Sequence, residues 1–269
     1  MSDLACRESD LACGVSDLAC RQSDPARRPL QVLDLGRMPF SEAFALQQRL
    51  VAERQRGEGV DTLLFVEHPH VVTMGRNGKQ QHVLASEEIL DRSGIQYFET
   101  DRGGDVTYHG PGQLVGYPIL DLREWKRDVH AFFQGIEQCL IDALAVFGIA
   151  AHRLPERGYE GVWVQGEKIA AIGIHISRWI TSHGFALNVE TDLSYFKYIV
   201  PCGLTKPVCS MRSLGCKATR DEVMRAVAAS LANIFDYELL MAPGGLPAAA
   251  FTEGGLAASN CSKELQETR

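Results

Sequence analysis

Six short apolar runs constrain the fold most: DTLLFVEH from Asp61, IQYFE from Ile95, LVGYPILDL from Leu114, GVWVQ from Gly161, KIAAIGIHI from Lys168 and GFALNV from Gly184. Each is rich in branched and aromatic residues, so each reads as a strand. Three helical patterns lie among them. Ala43, Leu46, Leu50 and Val51 share one helical face, and Gly57 and Gly59 stop that helix. Asp128 can cap a helix whose Phe132, Phe133, Ile136, Leu140, Ile141, Leu144 and Phe147 form a broad apolar face, with Gly148 as its stop. Thr219 and Glu222 make a T-x-x-E capping box ahead of Val223, Ala226, Val227, Leu231 and Ile234. Strands and helices intermingle without regular alternation, which favours an α+β fold over a doubly wound parallel sheet.

The two ends follow other rules. Residues 2–24 read SDLACRE, SDLACGV, SDLACRQ, SD, a heptapeptide copied three times and broken off. Leu, Ala and Cys are consecutive and then absent, so the three-and-four apolar spacing of a coiled coil is missing, and cysteines seven apart miss the close pairs of zinc sites. Residues 1–28 are expected to be a disordered extension, 29–241 one folded domain, and the Gly/Ala/Pro-rich 242–269 a disordered tail. The 27 Lys and Arg against 34 Asp and Glu leave a net charge of -7, which argues against a general nucleic-acid binder, because phosphate neutralisation needs clustered basic residues in excess. No run approaches the roughly 18 apolar residues of a membrane span, and no secretory signal pattern opens the chain. The cytoplasm is the expected location. Thiols stay reduced there, so the eight cysteines are expected as fillers, ligands or nucleophiles.

Chemistry concentrates in three segments. Arg102-Gly-Gly-Asp-Val-Thr-Tyr-His109-Gly-Pro-Gly-Gln113 packs turn residues around Arg, His and Gln. A turn in a β-meander accounts for the glycines; a ligand approaching bare backbone beside Arg102 and His109 accounts for the polar residues as well. Neither phosphate-loop nor dinucleotide spacing is present, and Gly75-Arg-Asn-Gly78-Lys79 is too short to serve as one. In the second segment, Gln165-Gly166-Glu167 looks like a hairpin turn that puts Lys168 at the start of an apolar strand. That lysine is either a solvated edge charge or, in a closed apolar cleft, a desolvated base. His183-Gly-Phe-Ala186 follows further on. The third segment holds Cys202 between Pro201 and Gly203. Such a cysteine is either a buried filler or a thiol projected from a turn beside backbone N–H groups, which suits a nucleophile.

Together, RGGDVTYHGPGQ, GEKIAAIGIHISRWITSHGFALNV and PCGLTKPVCSMRSLG strongly resemble the lipoyl(octanoyl) transferase family, and EHPHVVTMGR looks like its N-terminal strand pair. The resemblance covers roughly residues 30–237, with the motifs in family order. It implies a mixed β-sheet flanked by helices, the architecture of biotin and lipoate protein ligases. It also implies an enzyme that moves an octanoyl group from octanoyl-acyl carrier protein, through a cysteine thioester, to a lysine of lipoyl domains in 2-oxoacid dehydrogenase and glycine-cleavage proteins. No cofactor, metal, nucleic acid or membrane partner is implied. Matched position by position, Cys202 is the acyl-accepting nucleophile and Lys168 the residue that lowers its pKa and serves as base. Arg102, Gly103, Gly104, Asp105, Val106, Thr107, Tyr108 and His109 match acyl-substrate binding positions, as do Ala171, Ile172 and Gly173 and then Gly184, Phe185 and Ala186. Two positions depart from the family's usual residues: Cys209, commonly Thr, and His175, often Arg.

Three rival readings remain open: an ATP-dependent lipoate or biotin ligase of the same fold, a non-catalytic lipoyl-domain binding module, and a Cys-His hydrolase using His109 or His183. Acyl carrier proteins and lipoyl domains are generally acidic, so an acidic chain serving them needs a local basic face. Arg76, Lys79, Arg102, Lys206, Arg212 and Lys217 are its candidates.

Overall fold

A computed structural model describes residues 27–156, 158–200 and 206–241. The repeat segment up to residue 26 and the tail from 242 lie outside the described residues. The first half runs β1 (Arg28–Arg37), α1 (Phe40–Gln55), β2 (Asp61–Glu67), β3 (Val71–Met74), a 3-10 turn (Gln80–His82), α2 (Glu87–Arg92), β4 (Gln96–Glu99), β5 (Val106–His109) and β6 (Gln113–Ile119). The second half continues with α3 (Val129–Ala145), β7 (Val162–Val164), β8 (Glu167–Ser177), β9 (Ile180–Asn188), a second 3-10 turn (Leu193–Tyr198), α4 (Arg220–Phe235) and β10 (Tyr237–Met241).

Seven strands form a mixed sheet in the order β10-β1-β2-β6-β9-β8-β7. β1 runs parallel to both β10 and β2, and the remaining neighbours are antiparallel. A second sheet has the order β4-β3-β5. This is the α+β architecture expected from the intermingled runs.

The unbroken apolar run of β2 has a direct cause. Leu63 and Phe65 pack in the cluster that contains Phe132, Ile136 and Leu140 of α3 and Val223, Val227 and Leu231 of α4. Leu64 and Val66 pack in the opposite cluster with Ala43 of α1. Both faces of the strand are covered, so the usual in-out alternation disappears. The small sheet has a core of its own, in which Val72, Val106 and Tyr108 meet Leu90 of α2 and Ile199.

The helix starts follow the sequence signals. Asp128 accepts a hydrogen bond from the Ala131 N–H at 2.9 Å. Thr219 and Glu222 satisfy each other's backbone N–H groups as a capping box. Gln165 and Gly166 both have positive φ, 51° and 86°, as a two-residue type I′ hairpin requires. That turn puts Lys168 near the start of β8.

Arg28, assigned from sequence to the extension, is the first residue of β1. Its guanidinium lies 4.3 Å from the Tyr237 ring centroid and donates to the Phe235 carbonyl at 2.9 Å. Tyr237 in turn donates to the buried Asp61 carboxylate at 2.5 Å, and Arg54 binds the other Asp61 oxygen at 2.9 Å. One buried carboxylate thus joins β10, β2 and α1.

Candidate active site

The β8–β9 hairpin forms the floor of the site. Ala171 pairs with Ala186, Ile172 with Phe185 and Gly173 with Gly184. Small residues here let another backbone come close. The Gly103 N–H donates to the Ile174 carbonyl at 2.8 Å, and a Cβ on Gly173 would sit 3.0 Å from the Gly103 oxygen. A Cβ on Gly184 would fall 2.1 Å from the Gly116 oxygen of β6, where no side chain fits. The loop Asp101–Asp105 therefore lies directly on β8, and a cleft opens beneath it.

All but two of the substrate-binding residues named from sequence line this cleft. Gly103 instead anchors the loop through its backbone. Tyr108 faces away: its ring lies in the small sheet's core, stacked on Tyr195 at 5.4 Å, and its hydroxyl meets His70 Nδ1 at 2.8 Å. Strand alternation separates Tyr108 from Thr107 and His109, its neighbours in the same motif. Phe40, Val115 and Tyr117 also line the cleft and carried no sequence signal. Phe40 opens α1, and the other two sit inside an apolar run whose faces sequence could not tell apart.

Arg102 lines the cleft while being held from within the fold. It is 7% exposed, and its guanidinium donates to the Thr73 carbonyl at 2.7 Å and to the Gly103 carbonyl at 3.0 Å. It fixes the loop to β3.

His109 sits in a buried chain of polar groups. Gln113 Nε2 donates to the Tyr108 carbonyl at 3.2 Å and to Asn188 Oδ1 at 3.0 Å, and Asn188 Nδ2 donates to the Cys209 carbonyl at 3.0 Å. Gln113 Oε1 therefore faces His109, whose Nδ1–H donates to it at 2.8 Å. His68 Nδ1–H donates to the Met38 carbonyl and its Nε2 accepts from the Tyr117 hydroxyl, both at 2.8 Å. Burial, with His68 nearby, pulls the His109 pKa down to about 3, and burial pulls His68 down to about 4. Burial likewise lowers His183. A histidine held neutral when folded but free to protonate when unfolded withdraws stability as pH falls below its unfolded pKa of about 6.5. His68 and His109 are each expected to remove about 1.4 kcal/mol per pH unit below that value. Urea midpoints between pH 7 and pH 5 measure this. The slope should flatten in His109→Gln, and an unchanged slope would refute the assignment.

Lys168 is 7% exposed, which removes the edge-charge reading. Its Nζ donates to the Glu160 carbonyl at 3.0 Å and lies 4.9 Å from the Trp163 ring centroid. It borders a second, smaller cavity that shares Thr107, Ala171 and Ala186 with the cleft. The two spaces adjoin along the hairpin.

Cys202 lies outside the described residues, but the chain on either side is held. Before it, the Val200 N–H donates to the His82 carbonyl at 2.7 Å; after it, the Lys168 N–H donates to Pro207 and the Cys209 N–H to Lys168. The three described cysteines, Cys139, Cys209 and Cys216, are buried in the main core. Burial pushes the Cys209 thiol up to about 12 and raises Cys139 as well, so neither is poised to act as a thiolate.

The basic face loses two of its candidates. Arg102 is buried, and Arg212 pairs with Glu190. Arg76, Lys79, Lys206 and Lys217 are exposed.

The model of the lipoyl protein ligase A/B catalytic domain family matches residues 39–232. An octanoyltransferase of Solibacter usitatus is 59% identical over 216 residues, 80% of this chain and 96% of that protein. One from Koribacter versatilis is 52% identical over 218 residues, 78% and 86% respectively. Among solved structures, a bipartite lipoate protein ligase from Thermoplasma acidophilum superimposes with a TM-score of 0.61 at 18% identity, covering 81% of this chain and 88% of that one. A lipoate-protein ligase A bound with ATP gives 0.60 at 16% identity, covering 80% and 90%. At such identities the likeness is one of fold.

Proposed function

Because the chain belongs to the octanoyltransferase family, acyltransferases built on the lipoyl protein ligase A/B catalytic domain, we propose that it carries an octanoyl group on Cys202. In this reading it takes the group from octanoyl-acyl carrier protein and delivers it to a lysine of a lipoyl domain. The observation that supports it best is the cleft adjoining, through Thr107, Ala171 and Ala186, a cavity bordered by the buried Lys168. An apolar chain laid along the hairpin leads to an amine that water barely reaches.

Lys168 accepts the thiol proton of Cys202, and the thiolate adds to the donor's thioester carbonyl. The adduct collapses by expelling the carrier's thiolate, which takes the proton from the Lys168 ammonium and leaves that amine neutral for the second half-reaction. This exchange of one thioester for another is nearly isoenergetic. The target lysine's neutral amine then adds to the acyl-enzyme, loses its proton to Lys168 and expels the Cys202 thiolate, leaving an amide. A thioester is activated enough to acylate an amine, so no nucleotide is consumed.

His183 does have a carboxylate partner, Asp101, at 2.7 Å, and a hydrolase would use such a pair. The test is to incubate the full chain with octanoyl-acyl carrier protein and an apo lipoyl domain, without ATP. Octanoylation of one lipoyl-domain lysine is expected. Transfer that needs free octanoate and ATP would replace this reading with a ligase, and octanoate released to water would replace it with a hydrolase.

A further inference from the structure

The hairpin orders the site from Lys168 past the Ala171–Ala186 and Gly173–Gly184 pairs to Ile174 opposite His183. At the His183 end the cleft is lined by Phe40, Tyr117 and His183, exposed by 3%, 3% and 2%. These rings come from three elements, α1, β6 and β9, and each is fixed from behind. Phe40 packs on Phe44, His68 and Phe98 with centroids 5.8, 5.6 and 5.3 Å away. The Tyr117 hydroxyl is held by His68. His183 stacks on Phe44 at 5.3 Å, its N–H donates to Gln47 Oε1 at 2.8 Å, and its Nε2 meets Asp101 at 2.7 Å. It adopts φ 55°, a left-handed conformation rare for a residue other than glycine. A strained residue held by a backbone bond, a ring stack and a hydrogen bond to a carboxylate has little freedom to move aside.

We propose that Phe40, Tyr117 and His183 form a fixed stop that sets how long an acyl chain the enzyme accepts, with Phe40 as the residue that determines specificity. The proposal rests on the acyl-transfer reading above and adds which atoms meet the far end of the chain. Burial grows with each methylene until the chain reaches this wall; beyond it, a longer chain must displace packed rings or leave its thioester out of line. Phe40 is the ring whose removal frees space without breaking a hydrogen bond. Tyr117 and His183 each carry a polar partner that truncation would orphan.

The experiment measures kcat/KM of the full chain for octanoyl-, decanoyl- and dodecanoyl-acyl carrier protein, reading the covalent acyl adduct by intact mass. Wild type is expected to prefer octanoyl. Phe40→Ala is expected to raise the decanoyl-to-octanoyl ratio roughly ten-fold, the factor that burying two further methylenes supplies. Phe40→Leu should raise it less, and decides the matter should Phe40→Ala not fold. A merely structural role would lower all three rates together and leave the ratio unchanged, and that result in a folded variant overturns the stop. If wild type acquires no acyl adduct from any of the three donors, the acyl-transfer reading itself fails, which is a distinct outcome.

Discussion

Replacing Cys202 with alanine is expected to give a folded protein that gains no octanoyl adduct and acylates no lipoyl domain, with turnover lower on the order of 10⁴-fold or more. Loss of the nucleophile removes both half-reactions, because the carrier's thioester then has no acceptor in the site and the lipoyl lysine no acyl-enzyme to attack. Cys209 is the only described cysteine within seven residues of Cys202, and it is a poor substitute. With its thiol pushed up to about 12, its thiolate amounts to about one part in 10⁵ at pH 7. Its Sγ also faces the Glu167 carbonyl at 3.9 Å. Intact mass spectrometry after mixing with octanoyl-acyl carrier protein reads the result directly. An adduct that persists in Cys202→Ala, or that maps to Cys209, would sink the assignment.

Lys168→Met is expected to lower kcat/KM by about 10²–10⁴-fold, the usual worth of a positioned base, with the deficit narrowing as pH rises. The sign follows from the thiol. An unassisted cysteine ionises near pH 8.5, so alkaline solution supplies the thiolate that Lys168 otherwise generates. Lys168→Arg separates two roles that Met merges. A guanidinium keeps the positive charge but does not give up a proton, so recovery in Arg would assign Lys168 to electrostatics alone. Equal loss in both variants assigns it to proton transfer. Because Nζ also binds the Glu160 carbonyl and lies over Trp163, thermal unfolding must accompany the kinetics. A Met variant with more than half of wild-type activity would refute a catalytic role.

How legible each part was depends on how far its physical cause extends along the chain. The caps at Asp128 and Thr219 and the Gln165-Gly166 turn are made within four residues, so they could be read directly. The helical face from Phe132 to Leu144 was visible for the same reason, since 3.6-residue periodicity is local. β1 and β10 were not legible. They pair parallel across some two hundred residues, Arg28 with Tyr237, and neither carries an uninterrupted apolar run. β5 lay inside the Gly-rich motif and resembled a turn until its antiparallel partner β3 was in place.

The site divides along the same line. Sequence by itself determined the chemical inventory: a cysteine in a Pro-Cys-Gly context, one lysine opening an apolar strand, and small residues spaced along what became the hairpin. Only the tertiary structure decided where the described ones sit and what they touch. Arg102, matched to a substrate-binding position and a candidate for a basic face, is buried beside the cleft and donates to the Thr73 carbonyl. Tyr108 belongs to the core of the second sheet, although Thr107 and His109 on either side of it line the cleft. Phe40 and Tyr117, anonymous in sequence, line the cleft. The reason is geometric. Residue type and local spacing are properties of the chain, whereas burial, facing direction and the lining of a cavity arise only where strands distant in sequence lie side by side.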